Sequence, residues 1–124
     1  MRNFRFQKEE RLTRKKTIED LFQHGTSFAA FPLKVLFTLN KEAGASRNQV
    51  LISVPTRLFK KATQRNSLKR RIREGYRLNK GLLAIPTTFS LAYIYIAKEI
   101  LPSTTIHLAV QSSLRRLNRY ENKD

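Results

Sequence analysis

Along this chain of 124 residues the apolar positions change their period several times, and each change marks an element. Leu12, Ile18, Leu21 and Phe22 recur at helical spacing, with Thr13 as the candidate N-cap and Gly25 as the stop, which predicts a short amphipathic helix. After Pro32 the run LKVLFTL, Leu33–Leu39, is β-rich. Beyond the polar, glycine-containing loop KEAGASRN a second run, QVLISV, covers residues 49–54 and ends at Pro55; the two runs predict a hairpin.

From about residue 61 to residue 79 the pattern is helical, with Leu68, Ile72, Gly75 and Tyr76 on one side, and this is the longest clean helix. The run FSLAYIYIA, residues 89–97, is too apolar for an exposed edge and predicts a central strand. Past Pro102 and Ser103, the spacing of Ile106, Val110, Leu114 and Leu117 predicts a last amphipathic helix before the polar tail RYENKD. The order helix, hairpin, helix, strand, helix implies an α+β domain: one sheet with helices packed largely on one face, the other face left available. With 40% hydrophobic residues and only 4 Gly and 4 Pro, residues 1–124 read as one domain, fraying at about 1–8 and 119–124.

Charge changes the picture from fold to partner. Lys and Arg number 25 against 9 acidic residues, a formal charge of +16, and self-repulsion of that size is offset when a polyanion binds. Ten of those cations fall between residues 57 and 80: Arg57, Lys60, Lys61, Arg65, Lys69, Arg70, Arg71, Arg73, Arg77 and Lys80. At about 100° per residue, the apolar positions of that helix occupy roughly a third of its circumference. Arg65, Lys69, Arg73, Asn66, Arg77 and Arg70 share the neighbouring arc, with the helix's one acid, Glu74, outside it. A solvated helix face is the ordinary reading of a charge run, yet the i,i+4 repulsion among Arg65, Lys69 and Arg73 has no acidic partner to relieve it. Arginine forks suit phosphates and Asn66 suits a base edge or sugar hydroxyl, which favours structured RNA; composition alone leaves DNA open as well.

Other chemistry is thin. The acids stand singly or as adjacent pairs, so a nuclease acting without RNA has no set of carboxylates for metal ions, and Glu19 and Asp20 read as helix surface. His24, beside Gly25, and His107, early in the last helix, read as local or solvated, and no zinc set exists. Tyr93 and Tyr95 share a strand face, either as core or as a second RNA platform. Cysteine is absent, which excludes disulfides and thiolate chemistry; with no signal-peptide core and no stretch approaching the roughly 20 apolar residues of a membrane span, a soluble, unprocessed, cytoplasmic protein is expected.

The segment KKATQRNSLKRRIREGYRLNK, residues 60–80, resembles the signature of the protein subunit of bacterial ribonuclease P, Arg-Asn-Arg followed by x-Lys-Arg-x-x-Arg. Around it, ERLTRKKTIEDLFQHGTSF resembles the family's N-terminal helix and His-Gly-x-Ser turn, and LISVP its preceding strand. The resemblance covers nearly the whole chain and is weakest after Pro102. It implies an α/β sandwich with a central, mostly antiparallel sheet and a left-handed β-α-β crossover, like the second domain of ribosomal protein S5, although handedness statistics alone favour a right-handed one.

It further implies a protein cofactor with no active site of its own. That cofactor binds the catalytic RNA subunit and the single-stranded 5′ leader of precursor tRNA, while the RNA, holding most of the Mg²⁺, hydrolyses the phosphodiester. One protein per RNA is implied, with no DNA and no membrane partner. Carried over by position, Arg65, Asn66, Ser67, Lys69, Arg70, Arg73 and Arg77 face the catalytic RNA, with Arg57, Lys60 and Lys61 leading in. Ser67 departs from the motif, which has its second arginine there, and removes one charge. The leader groove is implied between the first helix and the exposed sheet face, making Ile18, Phe22 and Phe37 its candidates; for the two phenylalanines core packing is an equal reading, and Ile18 stands where some members have phenylalanine. Two other functions stand beside this one: a non-catalytic RNA-binding module using the same charge, and a nuclease acting alone, which only the kind of substrate suggests.

Overall fold

A computed structural model of the chain describes residues 8–40, 47–85 and 87–120. A 3₁₀ turn, Lys8–Glu10, leads into helix α1 (Lys15–His24) and strands β1 (Thr26–Ala30), β2 (Leu33–Leu39) and β3 (Gln49–Ser53). Helix α2 (Ala62–Asn79), a second 3₁₀ turn (Lys80–Leu82), strand β4 (Phe89–Tyr95) and helix α3 (Ser103–Leu117) follow.

The most apolar strand dictates the sheet. Six of the seven β4 residues are buried, so both its edges and both its faces need partners, and it lies between β2, antiparallel, and β3, parallel. The strand order is β1-β2-β4-β3. The expected hairpin between residues 33–39 and 49–54 is therefore not formed: β4 occupies the place beside β2, and β3 lies at the far edge. The real hairpin joins β1 and β2 across Phe31–Pro32, with Phe28 opposite Val35. Residues 41–46 of the loop after β2 lie outside the described residues.

Alternation splits each strand between two layers. Phe89, Leu91, Tyr93 and Tyr95 face the main core, closed by Leu68, Ile72 and Tyr76 of α2 and by Ile106, Val110, Leu114 and Leu117 of α3. Leu36 and Ala92 face the other way and pack with Leu12 and Leu21 under α1, joined by Ile18, Leu51 and Ile94. Two of the three helices thus share one face as expected, and α1 partly covers the other. Tyr93 and Tyr95 belong to the core and offer no RNA platform: the Tyr93 hydroxyl is 2.8 Å from Ser113 Oγ, and Tyr95 donates to the Glu99 carbonyl at 2.6 Å.

Four contacts fix the helices. Thr13 is not the N-cap: Leu12 donates its N–H to the Val50 carbonyl at 3.0 Å, which holds the chain beside β3, and α1 starts after an extended Arg14 with no side-chain cap. Gly25 does end α1, donating its N–H to the Leu21 carbonyl. A Cβ at Gly75 would come 2.9 Å from His107 Cδ2, so glycine is what allows α2 to lie this close to α3. At the far end of α2, Lys80 Nζ reaches the nearly buried Glu10 carboxylate at 2.8 Å, pinning the chain entry to the helix exit. Of the ends expected to fray, Lys8 opens a 3₁₀ turn, Arg119 donates its N–H to the Arg116 carbonyl and Tyr120 packs on Phe37 and Phe89; residues 1–7 and 121–124 lie outside the described residues.

Candidate RNA-binding surface

Leu68, Ile72, Gly75 and Tyr76 are the buried residues of α2, as the periodicity predicts, and the opposite face is turned outward by the helix itself. Asn66, Arg70 and Arg73 are exposed there, with Lys69 half-buried at the margin, and Arg57, Lys60 and Lys61 stand exposed on the approach. Two of the expected contacts are committed within the protein. Arg65 Nη1 donates to the carbonyls of Phe59 and Lys60, both at 2.8 Å, and clamps the turn that starts the helix. Arg77 reaches Glu74 Oε2 through Nη2 at 2.7 Å and Nε at 3.1 Å, and this hydrogen bond holds the Glu74 carboxyl below its usual range.

Ser67 lies off the stripe. It lines a depression of about 590 Å³ between α2 and α3, with Arg70, Arg71, Glu74, Ser103 and His107. Arg71 is tied to the Leu101 carbonyl at 2.7 Å, and His107 Nε2 is buried without a hydrogen-bond partner among the described residues. The departure from the family motif therefore removes charge from the edge facing α3 and leaves the exposed row intact.

On the other sheet face, a groove of about 410 Å³ runs between α1 and the strands, lined by Lys16, Thr17, Asp20, Thr38, Leu39, Asn40 and Ser90. The Ser90 hydroxyl is wholly buried beneath it and has no hydrogen-bond partner among the described residues. Asp20 takes part in a 3.1 Å contact with His24. On α1, Phe22 is 49% exposed, whereas Ile18 is half-buried against the small core under the helix. Phe37 is not in this groove. It sits on the opposite sheet face against Phe28, Phe89 and Tyr120, because residues 36 and 37 alternate and Leu36 takes the α1 side.

Thr17, Thr38, Asn40 and Ser90 escaped sequence reasoning, since single hydroxyls and amides on short elements carry no periodic signal. Among the described residues no cluster of three or more His, Cys, Asp or Glu could hold a metal, and no helix is long and apolar enough to cross a membrane.

Fold and surfaces together define a class: a small, strongly basic α/β sandwich with a cation-bearing helix on one side of its sheet and a hydroxyl-lined groove on the other. The family profile described as Ribonuclease P matches residues 6–120. The ribonuclease P protein component of Porphyromonas gingivalis is 34% identical over 119 residues, 92% of this chain and 87% of that one. The solved ribonuclease P protein of Thermotoga maritima is 32% identical with a TM-score of 0.70, covering 91% of this chain and 99% of that one. A Staphylococcus aureus ribonuclease P protein, a mutant with defective mRNA degradation activity, has a TM-score of 0.74 at 24% identity over 88% of each chain, which speaks to the fold alone. The chain belongs to the ribonuclease P protein family.

Proposed function

We propose that this protein is the subunit that binds the catalytic RNA of ribonuclease P and the 5′ leader of precursor tRNA, assisting leader removal to give mature tRNA 5′ ends. The observation that carries it is the exposed row of Arg70, Arg73 and Asn66 on α2, continued by Lys61, Lys60 and Arg57, beside which the helix's one acid is bound to Arg77. Arginine forks in such a row contact phosphates two-pronged, and Asn66 adds a donor and an acceptor for a base edge or a ribose hydroxyl. Lys69 adds charge at the margin, Arg65 positions the helix start, and Ser67 offers one hydroxyl.

The leader belongs on the α1 face. Phe22 presents an exposed ring for base stacking, and Thr17, Thr38 and Asn40 present neutral donors and acceptors to bases that are not paired. Ile18 supports α1 from the small core beneath it and does not line the groove, and Phe37 takes no part. Hydrolysis belongs to the RNA subunit, which when bound supplies Mg²⁺-dependent attack on the phosphodiester; this chain's residues bind and orient. The setting is the cytoplasm, with one protein per RNA and neither DNA nor membrane as partner.

Reconstitution tests the reading. At low Mg²⁺, adding the protein to its cognate catalytic RNA raises precursor-tRNA cleavage; no increase contradicts it, and cleavage by RNA-free protein would reinstate a nuclease acting alone.

A further inference from the structure

The groove between α1 and the strands holds one side chain that runs against the charge of the chain. Against 25 cations stand only 9 acids, and a carboxylate repels every phosphate that enters an RNA groove, yet Asp20 is part of the wall. Glu19, its neighbour on α1, is exposed and lies outside the groove, as a helix-surface acid does. Asp20 Oδ1 is 3.1 Å from His24 Nδ1, a contact that holds the carboxylate in place and leaves Oδ2 for a ligand. The same groove is lined by the hydroxyls of Thr38 and Ser90, and the wholly buried Ser90 Oγ has no hydrogen-bond partner among the described residues. A buried hydroxyl left unmet is costly, so a ligand that fills the groove gains by reaching it. Lys16, one turn before Asp20 on α1, adds a cation to the lining.

We propose that Asp20 makes this groove selective for guanine in the 5′ leader, its carboxylate accepting the N1–H and one N2–H of the base side by side. Guanine alone of the four RNA bases presents two parallel donors on its Watson–Crick edge. Adenine and cytosine set one amino group beside an acceptor nitrogen, which would face the second carboxylate oxygen, and uracil sets its single N–H between two carbonyls. Guanine O6, on the same edge, is an acceptor for the hydroxyl of Thr38 or Ser90, and Lys16 suits the adjoining phosphate. The volume of about 410 Å³ is ample for one unpaired nucleotide. An ordinary helix-surface pair accounts for the contact of Asp20 with His24; it does not account for an acid and an unsatisfied hydroxyl lining one RNA groove. Repulsion by the carboxylate lowers affinity for every leader, and the guanine contact offsets it for one base, which is how a groove discriminates.

The proposal rests on the leader-binding reading, so unaltered protein is measured first: equal affinity of the reconstituted complex for precursor and mature tRNA defeats both. Precursor tRNAs with an all-uridine leader are then compared with ones that carry a single guanosine, moved stepwise along the leader. Guanosine at one register tightens binding about tenfold over uridine, adenosine or cytidine there changes it less than about threefold, and catalytic RNA alone shows no such register. Asp20→Asn, at a half-exposed position, replaces one acceptor by a donor, which suits adenine, and adenosine then equals or exceeds guanosine at that register. Glu19→Gln makes the same charge change one residue away, outside the groove, and keeps the guanosine preference. The ratio of affinities at one register is what is read, so a uniform gain from removing a negative charge cancels. A leader preference with no guanosine register, one that survives Asp20→Asn, or one that falls equally with Glu19→Gln overturns the proposal and leaves the leader reading standing.

Discussion

The pairing of Arg77 with Glu74 divides the cations of α2 into those free to meet phosphate and those already used, and the division has a measurable size. Each phosphate neutralised on RNA contributes about 0.7–0.9 to the slope of log affinity against log salt. Arg70 is exposed on the helix, so Arg70→Ala makes the slope for catalytic-RNA binding shallower by about that amount. Over the fourfold range from about 50 to about 200 mM salt, its affinity then falls about threefold less than that of the unaltered protein. Arg77 carries the same formal charge but spends it on Glu74 at 2.7 Å, so Arg77→Ala leaves the slope nearly unchanged. Filter-binding titrations at five salt concentrations provide the slopes. Equal shallowing by Arg70→Ala and Arg77→Ala, or no change with Arg70→Ala, refutes the division.

Lys80→Met removes the cation 2.8 Å from the nearly buried Glu10 carboxylate, and urea unfolding should show a loss of about 1–3 kcal/mol, against under about 1 kcal/mol for Lys61→Met at an exposed site. Phe22→Ala should lower precursor-tRNA affinity of the reconstituted complex about fivefold or more while the urea midpoint barely moves, since the ring is already half in solvent; unchanged affinity would take Phe22 out of the groove's function. Burial raises Tyr76, Tyr93 and Tyr95 above the usual phenol value of 10.0, so the fold retains phenolic protons that the unfolded chain releases. That contribution is complete below about pH 10 and is lost as pH rises towards the folded values; phenolate absorbance from more than one tyrosine near pH 10 with native circular dichroism would refute it.

What the sequence disclosed follows the strength of its periodic signals. The core arc of α2 runs from Leu68 to Tyr76, about two turns, and β4 is apolar on both faces, so both elements and the central place of β4 were legible. The hairpin was misassigned because sequence adjacency says nothing about the insertion of β4 between β2 and β3, and because β1, TSFAA, is short and rich in small residues. Charge gives the stripe but not its use: only coordinates show Arg65 turned back onto backbone carbonyls and Arg77 bound to Glu74. Phe37 lies on the sheet face opposite α1, a placement that strand alternation sets and the resemblance does not disclose. Leu36 and Phe37 must point opposite ways, and the face belonging to α1 is settled by Leu21 and Ala92 meeting Leu36.

The central claim joins two surfaces, α2 for the catalytic RNA and the α1 groove for the leader. It is tested most directly by the affinity of the reconstituted complex for precursor tRNA carrying a 5′ leader against the same tRNA without one. Tighter binding of the leader-bearing form is expected, a preference that requires the protein and shrinks with Phe22→Ala. Equal affinity for the two forms, with the catalytic RNA fully bound, would contradict it.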